Sequence, residues 1–204
     1  MVESTQSSTL QAIQENDMTL DEAVVATLQF SPWQRIFPPY VKDWRSIDGP
    51  YHICKLVPQN SVMMEIGVYQ GQSTLFFALS GKFTKVIGVD PFDGAGDSGD
   101  NGQVFIEGVV KKHPGIVEHW KMKSQDAIPL LPDNYLDLVY IDAVHDYDNV
   151  KAELLLLKPK MKKNGIYSGH DYSPQFEGVK KAIHEVIGVP DMVYSDTSWM
   201  RLNS

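Results

Sequence analysis

Val62-Met63-Met64-Glu65-Ile66-Gly67-Val68-Tyr69-Gln70-Gly71-Gln72-Ser73-Thr74 decides how this chain folds. The apolar run Val62–Ile66 predicts a buried strand, and the two glycines four apart predict a tight turn. Gln72, Ser73 and Thr74 then lead into Leu75-Phe76-Phe77-Ala78-Leu79, which predicts a helix from Ser73 to Ser80. A strand–glycine–helix joint leaves backbone N–H groups and a bare glycine surface beside a crevice. A nucleotide-like ligand fits such a crevice.

Downstream, strands and helices alternate. Strands are predicted at Lys85–Val89, Ile116–Met122, Leu136–Ile141 and Gly165–Gly169. Between them lie helices near Gln103–Lys112, Ser124–Leu131 and Asn149–Leu157, and Val179, Ile183, Val186 and Ile187 mark a last one. Met192-Val193-Tyr194 and Trp199-Met200-Arg201 predict a closing hairpin across Asp196-Thr197. This alternation implies an α/β fold: a Rossmann-like, doubly wound, mostly parallel seven-stranded sheet with a C-terminal antiparallel hairpin. Upstream, Thr19-Leu20-Asp21-Glu22 has capping-box spacing, and Leu20, Val24 and Leu28 share one helical face. Residues 1 to about 17 are polar. The Trp33–Tyr40 segment is aromatic and proline-rich, an arm able to cap the core, cover a pocket or meet a second copy as a homodimer. A short helix is expected from Pro50 to Leu56. The organisation expected is an N-terminal helical arm, 1–60, and one catalytic-type domain, 61–204.

Hydrophobic residues make up 43% of the 204 residues, enough for one sizeable core. The net charge of −8 argues against nucleic acid as a partner, since phosphate binding needs a basic face. The single cysteine, Cys54, excludes an intramolecular disulfide, fits a reducing compartment and reads as a small buried hydrophobe. The first residues show no basic and apolar signal regions, and no run approaches a membrane span. A soluble, cytoplasmic protein with no membrane partner and a small-molecule substrate is expected.

In open α/β sheets ligands bind at the carboxyl ends of the strands. Every predicted parallel strand here ends in polar residues: Glu65/Gly67/Gly71, Asp90, Ser124/Gln125/Asp126, Asp142/His145 and His170/Asp171. The first group is not the three-glycine dinucleotide fingerprint, which counts against a nicotinamide-dependent oxidoreductase. Its acid suits a cationic ligand end, a sulfonium or an ammonium. Asp90, 25 residues after Glu65, is placed to accept ribose hydroxyls; an aspartate capping the turn before Pro91 is the plain alternative. His52, His113, His119 and His184 are scattered and read as structural or solvent-facing. Asp93, Asp97 and Asp100 lack the pattern of a calcium loop, so Phe92–Gly102 reads as a lid near Asp90. Lys158–Lys163 reads as a solvated turn.

Glu65-Ile-Gly-x-x-x-Gly71, Asp90, Ser124-Gln125-Asp126 and Asp137-Leu-Val-Tyr-Ile-Asp142 together resemble a class I S-adenosylmethionine (SAM)-dependent methyltransferase. The stretch YIDAVHDYDNVKAELLLLKPKMKKNGIYSGHDY…GVKKAI resembles the family-24 type and, more distantly, metal-dependent catechol and sugar O-methyltransferases. The resemblance covers about Val62 to Ser204. It implies that Gly67 and Gly71 admit the cofactor's amino-acid end, with Glu65 beneath it. It also implies that Asp90 holds the ribose, and that Ser124 and Gln125 border the adenine. Asp126 is the weaker choice there, and a cap of the following short helix is its alternative.

Asp142, His170 and Asp171 form a candidate metal set, with Asp142 also bordering the cofactor. Two carboxylates and an imidazole suit Mg²⁺ or, given the nitrogen, Mn²⁺. His145 is the candidate base, its reference value near 6.5 suiting proton abstraction at neutral pH. The catechol-type relatives put a lysine and an asparagine at the corresponding base and last-ligand places, and both families put an acid where this chain has His170. His170 could therefore ligate, act as a second base or hydrogen-bond within the pocket. The function expected is O-methylation of a small hydroxylated substrate, a sugar or a phenol. The rival readings are a non-catalytic SAM-fold binding module and a nicotinamide-dependent oxidoreductase.

Overall fold

A computed structural model describes residues 18–30, 47–93 and 100–204. The polar N-terminus, the aromatic arm from Trp33 to Trp44 and residues 94–99 of the expected lid, Asp97 among them, lie outside the described residues. Within them the strands are β1 (Ser61–Ile66), β2 (Phe83–Val89), β3 (Val117–Trp120), β4 (Leu136–Ile141), β5 (Met161–Gly169), β6 (Met192–Val193) and β7 (Trp199–Leu202). They form one seven-stranded sheet in the order β3-β2-β1-β4-β5-β7-β6. The first five are parallel, and β7 runs antiparallel to both β5 and β6. The Rossmann-like expectation is met, including the terminal hairpin; β7, the later strand, is the one inserted beside β5.

The alternation of side chains along each strand builds two cores. Met63 of β1, Val86 of β2 and Leu138 of β4 point to one face. Helices α1 (Leu20–Phe30), α2 (Asp48–Leu56), α3 (Gln72–Leu79) and α4 (Asn101–Phe105) cover it with Ala23, Ile53, Phe76 and Phe105. Met64, Ile66 and Val139 point to the other face. It is covered by α5 (Ser124–Ala127), α6 (Tyr147–Leu157) and α7 (Glu177–Val186) through Ala127, Leu154 and Ile183. The N-terminal helices thus share a core with the sheet.

The α1 capping box forms as spaced: the Thr19 N–H donates to Glu22 Oε2 at 2.8 Å, and the Glu22 N–H donates to Thr19 Oγ1 at 3.3 Å. The buried stripe of α1 is centred on Ala23 and Thr27, with Leu20 and Val24 at its margin, because Ala23 is small enough to bring the helix close to the core. The helix predicted over Gln103–Lys112 begins as α4 and continues as one π-helical turn, Ile106–Val110, closed by Lys111 N–H to the Ile106 carbonyl at 2.9 Å. Phe105 and Val109 are its buried pair. None of the described helices is long and apolar enough to cross a membrane.

Two glycines set the β1–α3 joint. Gly67 has φ +84°, and a Cβ there would lie 2.2 Å from the Asp142 carbonyl oxygen. Gly71 has φ +85°, and a Cβ there would lie 2.4 Å from Cδ2 of the Phe105 ring. Both are demanded by the protein's own packing. Gly115 has φ +89° with nothing within 4 Å of its would-be Cβ, so it isolates backbone strain from overlap. Gly67→Ala is expected to cost more than about 3 kcal/mol, because its obstacle is backbone, whereas Gly115→Ala should cost only about 1–2 kcal/mol. Urea denaturation of the two variants checks the contrast; equal losses would contradict it.

Candidate active site

The parallel ladders run one residue past the strands. Gly67 N–H donates to the Val89 carbonyl at 2.9 Å, Asp142 N–H to Ile66 at 2.7 Å and His170 N–H to Ile141 at 3.0 Å. Gly67, Asp142 and His170 therefore start their loops at one level, with Asp90 at the end of β2. Above them opens a cavity of about 800 Å³, within the range of small-molecule sites. Gly67, Asp90, Ser124, Gln125, Asp142 and His145 all line it.

Asp90 is bound by the turn it faces. Its Oδ2 accepts the Val68 and Tyr69 N–H groups at 3.0 and 3.1 Å, and its Oδ1 accepts the Phe92 N–H at 2.9 Å. Oδ1 keeps lone-pair capacity, whereas Oδ2 is already shared by two donors. His119 of β3 backs this corner, with Nε2 3.2 Å from the Asp90 carbonyl and its ring against Phe92 and Phe105, a structural role as expected.

Glu65 and Gly71 differ from expectation. Neither lines the cavity among the described residues. The two-residue period of β1 turns Glu65 to the Met63 face, beneath the first turn of α3. It has no exposed surface, and the Ser73 and Thr74 hydroxyls donate to its two oxygens. Burial lifts its carboxyl to about 8, against those hydrogen bonds. Its place is under the turn, off the cavity wall.

At the other end, Asp142, His145, His170 and Asp171 meet. His145 Nε2 lies 2.8 Å from Asp171 Oδ2 and 3.4 Å from Asp142 Oδ1. His170 Nδ1 lies 3.2 Å from Asp171 Oδ1 and 3.9 Å from Asp142 Oδ1. The Phe176 ring, 5.0 Å from that of His145, covers one side. Asp171 holds left-handed backbone, φ 61°, which aspartate tolerates better than most residues and which recurs at functional sites.

The hydrogen bonds to Asp142 and Asp171 raise His145 to about 10, so the ring as found is protonated at neutral pH. That is above the reference value near 6.5, because two carboxylates face the ring. For His170, burial disfavours the charge, but the Asp171 hydrogen bond and the Asp142 charge outweigh it and lift the ring to about 8. Burial also opposes ionisation of Asp171, yet hydrogen bonds from His145 and His170 hold it well below the usual carboxylate range. At Asp142 desolvation prevails over the His145 hydrogen bond and raises the carboxyl. Asp142, His170 and Asp171 each offer one donor atom, all within 4.8 Å of one another, a set that fits a divalent ion taking oxygen and nitrogen.

The sequence reading missed Glu153. It sits on α6, 1% exposed, and lines the cavity together with Ser124 and His145. Its Oε1 accepts the Ser124 hydroxyl at 2.5 Å, and its Oε2 has no hydrogen-bond partner. Burial raises its carboxyl to about 7. The signal was an acid on the Val150–Leu154–Leu157 stripe, the buried face of its helix. Asn149, from the same helix, also lines the cavity and accepts the Gln125 side-chain N–H at 3.1 Å.

A family model described as "Methyltransferase domain", of the family-24 type, matches residues 64–172. No curated protein sequence matches. Among solved structures, a TDP-rhamnose 3'-O-methyltransferase of calicheamicin biosynthesis is similar at 19% identity, over 90% of this chain and 92% of that one, with a TM-score of 0.53. A geranyl diphosphate C-methyltransferase from Streptomyces coelicolor A3(2) is similar at 13% identity over 82% and 71%, with a TM-score of 0.55. A SAM-dependent O-methyltransferase from Thermotoga maritima is similar at 15% identity over 66% and 48%, with a TM-score of 0.50. These likenesses show the fold. The chain spans about half the length, 48–56%, of the first structures it matches.

Glu65 makes stability depend on pH. With a folded value near 8 and an unfolded value near 4.5, the native state binds more protons between those limits. Stability therefore falls as pH rises from about 4.5 to about 8, by a few kcal/mol at most. Glu65→Gln should flatten that part of the profile in thermal unfolding at pH 5, 6, 7 and 8, and an unchanged slope would remove Glu65 as its source.

Proposed function

Because this chain belongs to the methyltransferase-domain family, and so is a SAM-dependent methyltransferase, we propose that it methylates an oxygen of a small hydroxylated substrate, a sugar or a phenol, with help from a divalent ion. The observation that carries this reading is the Asp142/His145/His170/Asp171 cluster, of which Asp142 and His145 line the cavity. Family membership sets aside the nicotinamide-dependent oxidoreductase and the non-catalytic module.

In this reading the cofactor lies along the strand ends, its amino-acid end by Gly67 and Asp142, its ribose by Asp90 and its adenine by Ser124 and Gln125. Bound SAM supplies an electrophilic methyl group on a sulfonium. A divalent ion, Mg²⁺ or Mn²⁺, held by Asp142, His170 and Asp171 would supply positive charge beside a substrate oxygen and draw the two carboxylates' charge from His145. The remaining work belongs to the chain. His145, relieved of that pairing, is placed to accept a hydroxyl proton as the oxygen–methyl bond forms and the sulfur–methyl bond breaks. Phe176 shields the imidazole from water on one side. Gly67 and the Val68–Tyr69 N–H groups tied to Asp90 keep the turn in place, so donor and acceptor are held in line. The TDP-rhamnose 3'-O-methyltransferase that shares the fold over nearly its full length agrees with a sugar hydroxyl as acceptor.

His145→Ala is expected to lower turnover by about 100-fold or more while S-adenosylhomocysteine affinity changes by less than about threefold. Methyl-transfer assays over sugars and phenols, paired with calorimetry, test this; unchanged turnover removes His145 as the base. EDTA is expected to abolish turnover, with Mg²⁺ or Mn²⁺ restoring it. A fully active chelated enzyme would refute metal assistance while leaving the cofactor reading intact.

A further inference from the structure

Glu153 is a carboxylate where the fold does not need one. It interrupts the apolar stripe of α6, between Val150 and Leu154, and is 1% exposed. An acid so placed carries a desolvation cost that a leucine would not. The charge of His145 offsets that cost only in part, and the one hydrogen bond that Glu153 accepts comes from a neutral hydroxyl, Ser124 Oγ at 2.5 Å. Its Oε2 is unpartnered, and the residue forms part of the cavity wall.

The pairing also determines what Ser124 can do. A serine hydroxyl has one proton, and Ser124 spends it on Glu153. Toward the cavity its oxygen can then only accept. Ionised Glu153 can likewise only accept. The terminal carboxylate torsion is soft, so Oε2 can turn toward a ligand without moving the helix. This corner therefore holds unused acceptors and asks for an N–H donor. Gln125 and Asn149, hydrogen-bonded to each other, line the same cavity.

Resting on the reading that the cavity holds SAM, we propose that the Glu153–Ser124 pair recognises the 6-amino group of the adenine, an acceptor-only corner that selects an exocyclic amine over a carbonyl. A base with a carbonyl at that position sets acceptor against acceptor and leaves Glu153 Oε2 without the amine, the ring N1–H beside the carbonyl being the one donor that replaces it. Such a mismatch is penalised far more than a lost contact with water.

The experiment is calorimetry of the full chain with S-adenosylhomocysteine and S-inosylhomocysteine, which differ in the amine-for-carbonyl exchange, at about pH 8.5 so that Glu153 is ionised. The wild type is expected to favour the adenosyl compound by at least about 30-fold. In Glu153→Gln, which adds a donor to the corner, and in Glu153→Asp, which withdraws the carboxylate by one methylene, the ratio should fall below about fivefold. Ser124→Ala removes the other half of the pair and should lower the ratio even if the Glu153 variants fail to fold. Because the readout is a ratio, a general loss of affinity does not imitate it. A wild type that binds both compounds within about threefold overturns the inference, as do folded variants that keep the wild-type ratio. A wild type that binds neither compound refutes the cofactor reading itself.

Discussion

The closeness of β1 to β4 at their carboxyl ends is the constraint on which the site depends. The Asp142 N–H reaches back to the Ile66 carbonyl at 2.7 Å, and this hydrogen bond brings the Asp142 carbonyl to where a side chain on Gly67 would stand. On the other side the Gly67 N–H is held by Val89 of β2. The turn is thus clamped from both flanks before any ligand contributes. Asp90 then ties the Val68 and Tyr69 N–H groups to the end of β2. A turn fixed in this way spends little conformational entropy on ligand binding, the usual advantage of preorganisation.

The ionisable groups divide according to depth. Glu65 and Glu153 lie on opposite faces of the sheet, both essentially without exposed surface, and both are held by hydroxyls. Burial raises each toward neutrality; the charges of Asp142 and Asp90 add to this at Glu65, and at Glu153 the charge of His145 opposes it without prevailing. At the rim the solution is different. Asp171 stays ionised because His145 and His170 donate to it, and those rings are raised in return. Charge is thereby kept at the carboxyl ends of β4 and β5, where water or a ligand can reach it.

The strands and most of the candidate site were legible because both follow from short-range pattern. Apolar runs bounded by glycine and proline marked all five parallel strands, and polar residues at their ends marked Asp90, Ser124, Gln125, Asp142, His145, His170 and Asp171. What pattern could not show was direction. The face to which Glu65 points depends on strand register, and the atoms opposing the glycines of the turn come from Asp142 and Phe105, distant in sequence. The pairing that raises His145 likewise needs β4 and β5 side by side. Glu153 escaped because a helix pattern is read from its apolar positions, and an acid among them looks like an ordinary interruption until its neighbours are known.

These placements give the cavity wall unlike parts. In one, Glu153 and Ser124 present acceptors within the body of the fold. In another, Asp142 and His145 are tied to Asp171 and His170. A third is Asp90, its oxygens already sharing three backbone N–H groups. A ligand that is neutral and amine-bearing at one end and charged at the other meets matching chemistry in only one orientation. Reversed, it would put its charge into the least hydrated part of the cavity and leave the acceptors of Glu153 unmet, and both penalties act in the same direction. Orientation is therefore enforced chiefly by what the wrong pose would strand, the form of selectivity that a buried, half-satisfied acid is suited to provide.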